Sequence, residues 1–210
     1  MTASGFGFGI RGSRASYGGP IVRSNDHASR PLEWNRAGAV RSGPVHPSSA
    51  GMDIETPEFR RVLGHWPTGV AVVTARGANG LPNGLTANAI TSVSLDPPLV
   101  LVCVNVGADT HAAIEASGTF AINVLPAEAE SLARRLADHG RLDKFQGVGW
   151  RAEISGAPVL DHALAWIDCS VLGAYPGGDH TIFVGRVLGG DGRSGEPLLF
   201  YRGGYGRVTR

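Results

Sequence analysis

From residue 69 onward the sequence predicts a mainly β fold, a closed or nearly closed β-barrel with short peripheral helices. Three observations carry that expectation. Six or so segments of strand length, apolar or alternating, succeed one another up to residue 204. The segments with helical signals between them are few and short. Strands also do not alternate regularly with helices, as a doubly wound parallel sheet requires.

The elements follow in order. Thr56-Pro57-Glu58 is a helix start, with a capping hydroxyl, a proline in the first turn and an acid beside it. The helix runs through Phe59, Val62 and Leu63 and stops near Gly64, with Pro67 beyond. A strand, 69-GVAVVTA-75, leads into the turn 77-GANGLPNG-84. The stretch 84-GLTANAITSVSL-95 then reads as a single strand of period two. Leu85, Ala87, Ala89, Thr91, Val93 and Leu95 fall on one face, and Thr86, Asn88, Ile90, Ser92 and Ser94 on the other. Its partner, 98-PLVLVCVN-105, is apolar throughout, as in a strand covered on both faces. Asp109-Thr110 can cap a short helix, 111-HAAIEAS-117, ended by Gly118. Strand 119-TFAINVL-125 follows, and Pro126 opens the helix 127-AEAESLARRLAD-138, acidic first and basic last as the macrodipole favours. A loop with Asp143, Lys144, Phe145 and Trp150 leads to three late strands: 164-ALAWIDCSVLGAY-175, 180-HTIFVGRVLGG-190 and 198-LLFYRGG-204.

At 210 residues the chain has room for one domain of usual size, and 42% apolar with 18% charged residues is a globular composition. Residues 1–51 are different. They are rich in Gly and Ser, hold six Arg against two acids and lack apolar periodicity. They are expected to form a disordered extension to a folded domain over 52–210, with Met52 an alternative natural start. They lack the apolar core of a secretory signal. A net charge of +1 gives no electrostatic case for nucleic acid or an anionic membrane, and no apolar run spans a bilayer. Cys103 and Cys169 each sit in an apolar strand-like run and read as small buried thiols, consistent with a reducing cytoplasm.

Conventional catalytic signatures are missing. No GxGxxG joins a strand to a helix, Walker A, HExxH and GxSxG are absent, and the seven histidines do not fall at metal spacing. Four features remain. Thr86, Asn88, Ser92 and Ser94 make a neutral, short polar face. It either satisfies itself on nearby backbone or forms the wall of a site for a flat heterocycle, where bulky charges would hinder close approach. Asp109-Thr110-His111 opens a helix whose free N–H groups suit a phosphate, with Thr110 the better ligand because Asp109 would repel an anion; a plain helix cap is the alternative. Arg135 could add a guanidinium there, whereas Arg134 reads as solvated or ion-paired. Finally, 177-GGDHTIFVG-185 sets His180 at a loop–strand junction, and 200-FYRGGYGR-207 could stack on a ring, or be an edge strand with cross-strand aromatics.

Together these pieces resemble the flavin reductase-like proteins of the FMN-binding split β-barrel fold, in particular the NAD(P)H-dependent reductase components of two-component flavin monooxygenases. The resemblance runs from about residue 56 to 208, through 58-EFRRVLGHWPTGVAVVTA-75, 82-PNGLTANAITSVSLDPPLVL-101, 115-EASGTFAINVL-125, 158-PVLDHALAWIDCSV-171, 177-GGDHTIFVGRV-187 and 197-PLLFYRGGYG-206. It implies that Pro82, Asn83, Gly84, Leu85, Thr86, Asn88 and Ala89 wrap the isoalloxazine and ribityl chain of FMN or FAD. It further implies that Cys103, Val104 and Asn105 lie against the flavin, with Asp109, Thr110, Arg135 and Leu136 at the phosphate side. His180, Phe200, Tyr201, Arg202 and Gly203 correspond to positions near NADH or NADPH, with His180 orienting the donor or relaying a proton. The sequence departs from the usual pattern at Ala108-Asp109, where Ser, Arg or Lys is commoner. A homodimer and a partner monooxygenase receiving reduced flavin by diffusion are implied as well. A non-catalytic flavin-binding carrier of the same fold, or reduction of some other bound substrate, would use the same polar strand.

Overall fold

The computed structural model describes residues 54–139 and 141–208; the expected extension over 1–51 and Met52 lie outside them. Three helices and twelve strands are present among the described residues: α1 (Thr56–Leu63), β1 (Thr68–Gly69), β2 (Ala71–Arg76), β3 (Pro82–Ala87), β4 (Ile90–Leu95), β5 (Pro98–Asn105), α2 (Asp109–Ser117), β6 (Thr119–Val124), α3 (Glu130–Ala137), β7 (Trp150–Ala152), β8 (Pro158–Leu160), β9 (Ala165–Gly177), β10 (His180–Gly192), β11 (Leu199–Tyr201) and β12 (Gly204–Gly206).

Seven strands form one antiparallel sheet in the order β3-β2-β6-β9-β10-β5-β4. Its two edge strands are consecutive in the chain. Ala87 and Ile90, three residues apart, can separate by at most about 11 Å. In a flat sheet six strand spacings would hold those edges roughly 29 Å apart. The sheet must therefore curl until its edges nearly meet, and Asn88-Ala89 crosses the gap. The crossing is fastened by the Cys103 N–H, which donates to the Ala89 carbonyl at 3.0 Å.

Here the structure corrects the sequence reading. The stretch 84–95 is not one strand but two, broken at Asn88-Ala89, and its period-two faces do not persist through the break. β5 is not covered on both faces either. Val100, Val102 and Val104 are buried, while Leu99, Leu101, Cys103 and Asn105 between them are only half-buried. The last predicted strand is a small hairpin, β11–β12, turning at Arg202-Gly203 with φ of 49° and 80°. Positive φ at both central residues is what a two-residue hairpin turn demands.

The core has two layers divided by β2. Val73 packs inside the barrel with Val102, Val104, Ile114, Phe120, Ile122 and Phe183, and α2 plugs one end. Val72 faces the opposite way, into a cluster with Leu125, Ala133, Leu136, Leu160 and Leu198, so α3 is held against the outside of the barrel. A buried amide locks this layer. Asn123 Nδ2 donates to the Val72 carbonyl at 3.1 Å, and its Oδ1 accepts the Leu160 N–H at 2.7 Å. These contacts set α3 beside edge strand β3.

Candidate active site

The crossing organises three adjoining cavities. One, of about 540 Å³, has Leu85, Thr86, Ala87, Asn88 and Ala89 along one wall, Cys103 and Asn105 along another, and Leu136, Ala137 and His139 on the α3 side. Asp179, His180 and Arg60 stand at its margin. A smaller cavity of about 170 Å³ runs on from it, sharing Leu85 and His139, and is bounded by Pro82–Gly84, Gly107–Thr110, Arg141, Leu142, Lys144 and Phe145. A third, about 750 Å³ and mostly apolar, shares Asn88, Ala89 and Cys103 and extends past Ile90, Leu101, Ile122 and Ile167 to Leu63, Trp66 and Pro67.

Local chemistry follows from the elements. β3 is an edge strand, so alternate backbone N–H and C=O groups point away from β2 and are open to a partner. Its small residues permit close approach: a Cβ on Gly84 would stand 2.7 Å from Phe145 Cζ and 3.2 Å from the Val73 carbonyl. Thr86 Oγ1 donates to the Ala133 carbonyl at 2.7 Å, tying α3 to the strand, and Asn88 Nδ2 donates to Thr68 Oγ1 at 3.2 Å. The Thr86 proton thus serves the fold and only its lone pairs face outward, whereas Asn88 keeps its carbonyl oxygen for a ligand.

At the margin, His180 Nδ1 lies 2.7 Å from Asp179 Oδ1, and that hydrogen bond, with the ring's charge, holds the Asp179 carboxyl below its ordinary range. The segment around the pair is pinned twice, once through backbone and once through side chains. The Val106 N–H donates to the Asp179 carbonyl at 3.1 Å, and His111 Nε2 lies 2.8 Å from Thr181 Oγ1. His111 is buried, so the α2 residue read as part of a cap proves to anchor β10. Burial also pushes the half-buried Cys103 thiol above its usual range, against any reading of it as a nucleophile.

Most predicted residues converge. Pro82, Asn83, Gly84, Asp109 and Thr110 line the small cavity, Leu85 lines both, and Thr86, Asn88, Ala89, Cys103, Asn105, Leu136 and His180 line the larger. Val104 is fully buried in the barrel core, so only its backbone is near. Arg135 lines neither cavity; its Nη1 donates to the Gln146 carbonyl at 3.2 Å, steadying the loop that carries Lys144 and Phe145. Phe200, Tyr201, Arg202 and Gly203 line none of the three. Phe200 packs on Tyr205, Tyr201 meets the His65 ring edge, and the Arg202 N–H donates to the Gly64 carbonyl. Their link to the site is indirect, through the pairing of Phe200 with Thr68 on the wall of the apolar cavity. Arg60, Ala137, His139, Arg141 and Leu142 join the site without having been foreseen. Arg60, His139 and Arg141 are single polar residues outside any strand, and no local pattern marks them.

α2 begins at Asp109 after an N-cap at Ala108, with no side chain capping it. The neutral, compact wall of the larger cavity, the open edge of β3 and the basic groups at the smaller one suit a flat heterocycle with an anionic tail. Over residues 63–209 the sequence matches the family described as flavin reductase like domain. The chain belongs to that family. Its fold is the split barrel of the family's flavin reductases. An NADH-dependent FAD reductase of Streptomyces globisporus is 50% identical over 135 residues, 62% of this chain and 73% of the relative. A Rhodococcus jostii relative, the reductase subunit of a flavin-dependent monooxygenase, is 42% identical over 153 residues, 72% of this chain and 77% of the other. Among solved structures, an NADH:FAD oxidoreductase from the same Streptomyces superposes with a TM-score of 0.70 at 44% identity, covering 75% of this chain and 96% of that one. The same oxidoreductase has also been solved with NAD and FAD fragments.

Proposed function

We propose that this chain is an NAD(P)H-dependent flavin reductase that reduces FMN or FAD and releases the product to a separate flavin-dependent monooxygenase. One observation carries the reading: the crossing at Asn88-Ala89 gathers the neutral edge of β3, Cys103 and Asn105 of β5, and His180 of β10 around one cavity of about 540 Å³. That size falls in the range of roughly 300–1,000 Å³ usual for small-molecule sites.

The residues present fit a flavin. Leu85, Thr86, Asn88, Ala89 and Asn105 would hold the ring and its side chain, and the groups around Thr110 and Lys144 its phosphate. The apolar cavity adjoins this one through Asn88, Ala89 and Cys103. A bound flavin supplies the chemistry itself, accepting the nicotinamide hydride at its N5 atom. The protein's own residues bind and orient. The absence of any catalytic acid–base motif is in keeping with this, because hydride transfer needs alignment more than proton traffic. His180, oriented by Asp179, is proposed to position the nicotinamide donor, with the β11–β12 turn acting at longer range.

A homodimer belongs to the same reading. α1 has no buried residue, Phe59, Val62 and Leu63 are about half exposed, and Trp66 is 73% exposed at the rim of the apolar cavity. A short amphipathic helix with its apolar face in water gains little from tertiary packing, and a second copy would cover it. Among the described residues no helix is long and apolar enough to cross a membrane, and two unpaired thiols support the cytoplasm as the compartment.

The test is direct. The purified chain is mixed with NADH or NADPH and with free FMN or FAD, and nicotinamide absorbance is followed. Flavin-dependent oxidation above the uncatalysed rate is expected; its absence with every pairing of donor and flavin would overturn the proposal.

A further inference from the structure

The smaller cavity is where the charges collect, and their balance differs from what its basic residues suggest. Arg141 is held by Asp143 through two bonds of 2.6 and 3.0 Å, which also keep the Asp143 carboxyl below its ordinary range. That pair presents little net charge. Arg135 does not line the cavity; its Nη1 donates to the Gln146 carbonyl, while its buried Nε lacks a hydrogen-bond partner among the described residues. What remains facing the cavity is Lys144, His139 and the carboxylate of Asp109. Among the described residues no ion pair engages Asp109 or Lys144. Asp109 is exposed and sits beside buried Thr110 on the first turn of α2, where the free N–H groups of the helix would otherwise favour an anion.

We infer that Asp109 sets the flavin preference of this site, favouring FAD over FMN; the inference rests on the flavin-reductase reading above. The argument is one of charge. A terminal phosphate monoester, as in FMN, carries roughly −1.5 to −2 at neutral pH. Each phosphate of the FAD pyrophosphate, substituted by one ester and one anhydride bond, carries a single negative charge. A carboxylate at the phosphate position repels the more concentrated charge more strongly, while one free lysine matches a singly charged phosphate. The second phosphate and adenosine of FAD would continue past the small cavity, beside the fully exposed Leu142 and Arg141, which Asp143 holds. FMN has no such continuation and leaves its full charge facing Asp109.

The experiment compares dissociation constants of FMN, FAD and riboflavin for the unaltered chain, Asp109→Asn and Asp109→Lys. Riboflavin has no phosphate and corrects for any change in the ring site. The ratio of FMN to FAD dissociation constants is expected to fall by about threefold to tenfold in Asp109→Asn, the effect of one charge acting through a partly solvated path. It should fall further in Asp109→Lys. A ratio unchanged within twofold across all three proteins overturns the inference. Binding of all three flavins with such an unchanged ratio overturns only this inference, while failure to bind any flavin overturns the reductase reading with it. Two substitutions of opposite chemistry at an exposed position keep the test open if one of them folds poorly.

Discussion

β3 and β4 come from one stretch of sequence with only Asn88-Ala89 between them, yet they are opposite edges of one sheet. Both are short and built from small, uncharged residues. β3 buries Gly84 and Ala87, bonds to α3 through Thr86 and lines two cavities. β4 leaves Thr91, Ser92 and Val93 exposed and Leu95 at 93% exposure. The composition of a strand does not say whether its hydroxyls serve a helix, a ligand or water. What packs on its edge decides.

The comparison can be broken most sharply with bulk. Gly84→Val would drive a side chain into Phe145, Thr74 and the Val73 carbonyl. It should cost about 1–3 kcal/mol in denaturant unfolding, while Ser92→Val on β4 should stay within about 0.5 kcal/mol. Equal losses at both would mean that the two edges are equally enclosed.

The two thiols extend the contrast from the edges to the barrel wall. Burial, with Asp168 alongside, pushes the Cys169 thiol up to about 12, far above its ordinary value of 9.0. Above pH 9 the unfolded chain then releases a proton that the folded chain keeps, so stability must fall as pH rises toward 12. The contribution is at most about 1.4 kcal/mol per pH unit. Cys169→Ala should show a shallower decline over that window, read as the difference in slope from the unaltered chain. Cys103, half-buried beside the crossing, should be alkylated first, and flavin should protect it.

His180→Ala separates the margin of the site from its wall. We expect the KM for NADH to rise by about tenfold, the equivalent of about 1.4 kcal/mol, with flavin affinity little changed. A loss of flavin binding instead would move His180 to the flavin side. The smallest effect belongs to the hydroxyls. Thr86→Val removes the bond to the Ala133 carbonyl and should cost about 0.5–1.5 kcal/mol. Thr91, whose hydroxyl bonds to the carbonyl of its neighbour Ser92, should tolerate valine. If the two threonines behaved alike, the role of α3 in fixing β3 would be in doubt.

Much of this molecule can be read locally, because much of its physics is local. Apolar runs of strand length become strands, Gly118 ends α2 in the left-handed conformation at φ 67°, and Arg134 pairs with Glu130 one turn away, at 2.7 Å. The candidate site was legible where its residues are consecutive in the chain, as Pro82 to Ala89 are along β3 and the crossing that follows it. It was not legible where single residues arrive from distant segments. Arg60, His139 and Arg141 carry no periodic or motif signal, and Phe200 to Gly203 line none of the three cavities; an aromatic-rich hairpin reads the same beside a cavity or away from it.

The sequence by itself determined the mainly β class, the order of its principal strands and helices and the neutral character of β3, since hydrophobic period, turn residues and side-chain type are properties of short segments. Only the tertiary structure decided that residues 84–95 divide between two edges, that Thr86 spends its proton on α3, and that Asp109 and Lys144 line one cavity. Those facts depend on sheet closure, which brings together residues that no local spacing relates.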